Sequence, residues 1–243
     1  MSGERAIVSI RELRDERGVF SGREDAGRRL AGMLEAYRGT DALVVAIPSG
    51  GVPVGAAIAD ALGLPLEVAV VSKITPPWNT EVGYGAVAFD ATVHIDDEMR
   101  EHLGLTDDQV RAGVSATQQK VARRVRRFRG DRSMTVVSGR PVVLVDDGLA
   151  SGVTMMVALA AMRRLRARTV AVAVPTGSPG RLQRVAEVAD AVYCANIRGG
   201  WSFAVADAYQ RWSDVDEDEA VRLYRARHAT GAGGCSSNGS SGN

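Results

Sequence analysis

The stretch Val142-Val143-Leu144-Val145-Asp146-Asp147-Gly148-Leu149-Ala150-Ser151-Gly152-Val153-Thr154 decides the fold. It opens with four consecutive apolar β-formers, the composition of a strand buried on both faces inside a parallel sheet. Two carboxylates, Asp146 and Asp147, follow at the strand's carboxyl end, where open α/β sheets place their ligands. Apolar residues then fall at 155, 158, 159, 162 and 165. That spacing is helical, so residues 151–154 stand at a helix N-terminus. Free N–H groups and the positive end of the helix dipole make such a place an anion site. The stretch therefore predicts an anion held in the loop, with hydroxyls or a metal held by the two aspartates. An incidental Asp-Asp in a strand–turn–helix is the plain alternative, since aspartate is common in turns. An uncharged hydroxyl loop directly after two carboxylates on a buried strand weighs against it.

The surrounding chain repeats the pattern. Residues 43–47 read as a parallel strand that runs into Pro48-Ser49-Gly50-Gly51-Val52-Pro53-Val54-Gly55 and an alanine-rich helix to about Leu62. Backbone N–H groups in such a glycine turn converge on an anion. The turn is not Gly-x-Gly-x-x-Gly, which disfavours a dinucleotide fold. Residues 66–71 are expected to form the second strand, with Lys73 just past its end. Alone, that lysine is a solvated charge; beside two anion loops at one sheet edge it reads as an anion contact. Residues 169–174 are expected as a further buried strand, followed by a helix through Val188, and 191–194 as the last strand. Strands and helices alternating from 41 to 195 predict an α/β doubly wound, mostly parallel sheet.

Strand, acidic pair, small-residue loop and Ser151-Gly152-Val153-Thr154 together resemble the phosphoribosyl diphosphate (PRPP) motif of type I phosphoribosyltransferases. The turn at 48–51 is similar to that family's pyrophosphate loop, although Ser49 stands where many members carry arginine. The resemblance covers roughly residues 20–225 and is specific at 142–154. It implies transfer of the 5-phosphoribosyl group of PRPP to a nitrogenous acceptor, with a nucleobase as the expected class, and release of diphosphate. Asp146 and Asp147 would be the catalytic pair, holding the ribose hydroxyls. Ala150, Ser151, Gly152, Val153 and Thr154 would take the 5-phosphate, and Ser49, Gly50 and Lys73 the diphosphate. Magnesium (Mg2+) is implied through PRPP oxygens near the acidic pair rather than by protein ligands alone. The family also places a mobile loop near 75–95, where 84–89 and 92–95 read as a hairpin, and a small C-terminal hood over the acceptor. Trp201 and Phe203 are the candidate hood surfaces. A homodimer is the expected assembly, with Trp78 and Tyr84 either in the contact or simply packed under the hairpin.

Composition narrows the remaining possibilities. The 243 residues carry a formal net charge of +1, so no whole-molecule field favours nucleic acid or anionic membrane. Two distant cysteines, Cys194 and Cys235, give no disulfide scaffold or zinc spacing and fit a reducing cytoplasm. No export signal or membrane span is legible. Neither glycine loop carries the Gly-Lys-Ser/Thr of a Walker motif, and the glycines around Ser49 and Ser151 do not make a nucleophile elbow. His94, His102 and His228 share no metal-binding spacing. Residues 24–37 read as a covering helix, and 106–129 as a long helix opened by a capping box at Thr106 and Gln109. That long helix carries Lys120, Arg123, Arg124, Arg126, Arg127 and Arg129. They are either a solvated face or the contact surface of a second reading, a PRPP-sensing nucleic-acid-binding regulator. A last helix is expected over 214–227. Residues 1–229 are expected as one phosphoribosyltransferase-like domain, with a disordered Gly/Ser-rich tail over 230–243.

Overall fold

The structure, a computed structural model, describes residues 7–79, 82–200 and 203–229. In chain order its elements are β1 (Ile7–Val8), α1 (Arg23–Met33), β2 (Leu43–Ala46), α2 (Gly51–Leu62), β3 (Leu66–Val68), β4 (Val71–Ile74), β5 (Gly85–Ala88) and β6 (Val93–Ile95). They continue with α3 (Asp97–His102), α4 (Asp107–Arg129), β7 (Pro141–Val145), α5 (Val153–Arg164), β8 (Thr169–Gly177), α6 (Pro179–Ala186), β9 (Ala191–Ile197) and α7 (Glu217–Ala229). A 3-10 turn, Val205–Ala208, precedes α7.

Six strands form a parallel sheet in the order β1-β9-β8-β7-β2-β3. Alternate residues of its central strands feed two cores. Val44, Ala46, Val143 and Val145 face α1, α2 and α7, whereas Leu43, Val45, Val142 and Leu144 face α5 and α6. Strands buried on both faces explain why 43–46 and 142–145 are unbroken apolar runs. The sheet is doubly wound. From β2 the chain crosses through α2 to β3, and from β7 it crosses through α5 to β8 on the other side.

One strand assignment needs correction. The apolar run from residue 66 is not a single strand: β3 ends at Val68, and β4 belongs to a separate antiparallel sheet, β4-β5-β6. Lys73 therefore lies within β4, opposite Ala86, and not beyond the end of a main-sheet strand. Continuous hydrophobicity cannot reveal the exchange of partners, because both segments are buried. The expected hairpin is present as β5 and β6, with Ala91 at φ +66° in its turn. Helix α1 stops at Met33, short of Tyr37, and a 3-10 turn at Glu35–Tyr37 completes that stretch. Strand β9 runs past Cys194 to Ile197, and the last helix begins at Glu217.

Helix α4 starts at the capping box read from the sequence: Gln109 N donates to Thr106 Oγ1 at 3.3 Å, and Thr106 N to Gln109 Oε1 at 2.9 Å. Its far end is anchored by a buried charge. Glu67 in β3 is fully buried and accepts hydrogen bonds from Thr135 N (3.1 Å), Thr135 Oγ1 (2.7 Å) and Tyr224 OH (2.8 Å). Arg129 supplies the counter-charge, with Nε 3.7 Å from Glu67 Oε2, and donates from Nη2 to Val68 O at 2.6 Å. Removing one member of a buried ion pair costs about 3–5 kcal/mol, while replacing both is far milder. Arg129→Met is expected to lower Tm by on the order of 10 °C. Glu67→Gln combined with Arg129→Met should melt above the single variant; a double variant melting at or below it would reject this account of the anchor.

Candidate active site

Strands β2 and β7 are neighbours, and their crossovers depart to opposite sides. A crevice must open between the two loops that follow them, which is where open α/β sheets bind ligands. The loops are residues 47–51 after β2 and 146–152 after β7. They touch: a Cβ on Gly50 would lie 2.0 Å from Asp147 Oδ2, and one on Gly51 2.7 Å from Val145 O. The two glycines are thus required first by packing against the acidic pair. The Pro48–Ser49 peptide in this turn is cis.

Gly152, at φ +80°, turns the second loop into α5. As at any helix start, the first N–H groups of α5 have no intrahelical acceptor. Leu149 N donates to Thr176 O at 2.8 Å and ties the loop to the end of β8. Ala150 and Ser151 between these fixed points are exposed. A cavity of about 230 Å³ lies here, lined by Lys73, Asp146, Asp147, residues 148–152, Thr154, Val205 and Trp212. The structure therefore brings together the acidic pair, the 150–154 loop and Lys73, which reaches the cavity from the second sheet. Ser49, Gly50 and Val153 do not line it; Ser49 and Gly50 are half-buried, with Gly50 against Asp147.

The acidic pair is held by partners that the sequence does not announce. Arg23 Nε donates to Asp147 Oδ2 at 2.8 Å, Arg23 Nη1 to Ser213 O at 2.8 Å, and Tyr209 OH to Asp147 O at 2.6 Å. The Arg23 guanidinium stacks 4.0 Å over the Trp212 ring, and Tyr209 packs beside Trp212 at 5.0 Å between centroids. A signal for Arg23 does exist in the sequence. It is a cation in the first turn of α1, where the dipole favours acids. Trp212 lies between periodic segments and carries no such mark. Of the two expected hood aromatics, Trp201 lies outside the described residues. Phe203 does not line the cavity; it packs with Arg198, whose guanidinium is 5.8 Å from the ring. The aromatic that shares the cavity with the acidic pair is Trp212.

Burial pushes the Asp146 carboxyl well above the ordinary carboxylate range, and the neighbouring Asp147 charge pushes it further. The Asp147 N–H, bonded to Asp146 Oδ1 at 2.9 Å, opposes this, as do Arg23 and Lys73. Asp147 is also raised by burial, against the opposing pull of Arg23. Among the described residues no group of three or more His, Cys, Asp or Glu could hold a metal ion. The acidic side chains lining the cavity are this pair. No helix among the described residues is long and apolar enough to cross a membrane.

The fold is thus a doubly wound parallel sheet of the α/β class, with an acidic pair, a helix-start loop and a lysine around one cavity at its switch point. The phosphoribosyl transferase domain profile matches residues 21–208, and the chain belongs to that family. It is 34% identical over 214 residues to the protein named "Putative phosphoribosyl transferase Rv0571c" of Mycobacterium tuberculosis (strain ATCC 25618 / H37Rv). The match to "Putative phosphoribosyl transferase MT0597" of strain CDC 1551 / Oshkosh is the same. These alignments cover 86% of this chain and 47% of each relative, so the chain spans about half the length of the curated relatives it matches. The crystal structure of TT1426 from Thermus thermophilus is similar in fold, with a TM-score of 0.70 and 29% identity, covering 84% of this chain and 97% of that one.

A buried carboxyl whose value is raised on folding destabilises the native state increasingly as pH rises from the ordinary carboxylate value through the raised one. Asp146→Asn keeps the acceptor for Asp147 N and removes that cost. The variant is expected to melt above the wild type at pH 7.5. The gap should close towards pH 4. A gap that stays constant between pH 4 and 8 in thermal melts would show that the Asp146 charge is not its source.

Proposed function

We propose that this chain transfers the 5-phosphoribosyl group of PRPP to a nitrogenous acceptor of the nucleobase class, releasing diphosphate. One observation carries the reading: Asp146, Asp147, residues 150–152, Thr154 and Lys73 line a single cavity at the switch point of the sheet. In the reaction a C1–N bond forms as the C1–O bond to diphosphate breaks. Diphosphate leaves with the electron pair, and the acceptor nitrogen gives up its proton to the departing diphosphate or to water. Positive charge gathers on the ribose C1 and ring oxygen on the way, and carboxylates fixed beside it stabilise that charge without reorganising.

The residues divide the substrate between them. Asp146 and Asp147 accept hydrogen bonds from the ribose hydroxyls. An ionised carboxylate has about four lone-pair sites, so Asp147 retains acceptor capacity beside Arg23. The N–H groups of residues 150–154, with the Ser151 and Thr154 hydroxyls, take the 5-phosphate. Ser49, Gly50 and Lys73 face the diphosphate. Trp212 and Val205 line the same cavity and offer the acceptor an apolar wall. A two-carboxylate donor set suits magnesium held mainly by substrate oxygens and water, with Asp146 and Asp147 as its protein partners. When bound, the ion spreads the charge of the departing diphosphate.

The nucleic-acid reading of α4 is not favoured. Arg124 and Arg127 pair with Glu217 at 3.0 and 3.1 Å, Arg127 also with Asp218, and Arg129 is buried against Glu67. Half of the helix's cluster of cations is thereby used inside the molecule.

Titration calorimetry with PRPP and magnesium tests the proposal. The wild type is expected to bind in a magnesium-dependent manner, and Asp146→Asn/Asp147→Asn to lose at least about tenfold in affinity, since each buried charge-assisted hydrogen bond contributes ~1.5–3 kcal/mol. No heat at millimolar PRPP would sink the transferase reading.

A further inference from the structure

The proposed diphosphate contacts come from two different sheets. Ser49 and Gly50 follow β2 of the parallel sheet, whereas Lys73 belongs to β4 of the antiparallel one. Among the described residues the pairing of β3 with β2 ends at Val68, with Ala69 N donating to Ala46 O at 2.9 Å, and no backbone ladder continues from there between β2 and β4. Beyond that point a side chain ties the loop to the Lys73 strand. Arg124 of α4 lies between the two. Its Nη2 donates to Pro48 O at 3.4 Å, next to Ser49, and its Nη1 donates to Val71 O at 3.2 Å and to Ser72 Oγ at 3.3 Å, next to Lys73. Its Nε donates to Glu217 Oε2 at 3.0 Å, at the start of α7 and just beyond the Trp212 segment. The side chain is 14% exposed, and its Nε, Nη1 and Nη2 are all spent on protein acceptors. It is engaged within the fold, outside the lining of the cavity, and is not a free cation awaiting a ligand.

We infer that Arg124 is a positioning residue for the diphosphate half of the site. Its guanidinium fixes the loop at 48–51 and the Lys73 strand in one register, with Glu217 holding the guanidinium in place. The inference rests on the transferase reading. Rigid planarity is what suits arginine to the task, because one fork spans three elements. A lysine ammonium is a point charge and cannot bridge them.

Separate calorimetric titrations with PRPP, inorganic diphosphate and ribose 5-phosphate, each with magnesium, test it on wild type, Arg124→Ala, Arg124→Lys and Glu217→Gln. A site held loosely by its supporting residues loses affinity for the group it positions. Arg124→Ala and Arg124→Lys are each expected to weaken diphosphate and PRPP binding about tenfold, and Glu217→Gln about threefold. Ribose 5-phosphate, which meets the acidic pair and the 150–154 loop, should stay within about twofold. Should Arg124→Ala fail to fold, the other two variants carry the test. Full diphosphate affinity in Arg124→Lys would overturn the inference by showing that charge alone suffices. Equal weakening of both half-ligands would overturn it by showing a general structural role. Wild type that binds neither PRPP nor diphosphate would remove the transferase reading itself, and the inference with it.

Discussion

Strands β2 and β7 lie side by side and parallel, yet the chain leaves them for opposite sides of the sheet, through α2 on one face and α5 on the other. Two loops that diverge from adjacent strand ends cannot close over the gap between them, and this divergence sets everything else in the site. It places two helix starts, two sets of backbone N–H groups and the Asp146–Asp147 pair around one opening. The loops must also touch at their base, and the short distance from Gly50 to the Asp147 carboxylate shows how little room is left there. A side chain at residue 50 would displace the acid and not merely crowd a ligand.

Concentrating carboxylates at such a place opposes stability. Each is raised by burial, and Asp147 adds its charge to the burden on Asp146. The fold offsets this from a distant part of the chain, with Arg23 arriving from the first turn of α1, while Tyr209, from beyond the last strand, holds the Asp147 backbone carbonyl. The stacked arrangement of Arg23 on Trp212 then joins the charge compensation to the wall of the cavity. The segment that includes Tyr209 and Trp212 thus fixes Asp147 and shapes the cavity at once. A change that loosens one of these functions will disturb the other.

The parts legible in the sequence are those whose physics is local. The runs at 43–55 and 142–154 contain strand, turn and helix start within a dozen or so residues, and period and composition are enough to read them. The capping box of α4 is readable for the same reason. What escapes depends on partners far away in sequence. The run from 66 to 74 is largely apolar, yet its two halves pair in different sheets. Lys73 therefore reaches the cavity from within β4 and not from beyond the end of a main-sheet strand. That Trp212 lines the cavity while Phe203 does not depends on how the segment after β9 folds, which no short window records.

The basic face of α4 shows how a charge pattern misleads when its partners are hidden. Six cations clustered between Lys120 and Arg129 suggest a polyanion as the partner. Yet α7 opens with Glu217, Asp218 and Glu219, the acids that a helix N-terminus favours, and it packs its first turn against the last turns of α4. Acid-rich start thus meets base-rich end, and each helix satisfies its own dipole while pairing with the other. Arg124 and Arg129 go further and reach strand carbonyls beneath the helix. These two guanidiniums, held by strand carbonyls and by Glu217 and Glu67, act as structural bolts, and the outward cations remain for solvent. The apparent polyanion signature is therefore in large part the means by which α4 fastens the second sheet to the first.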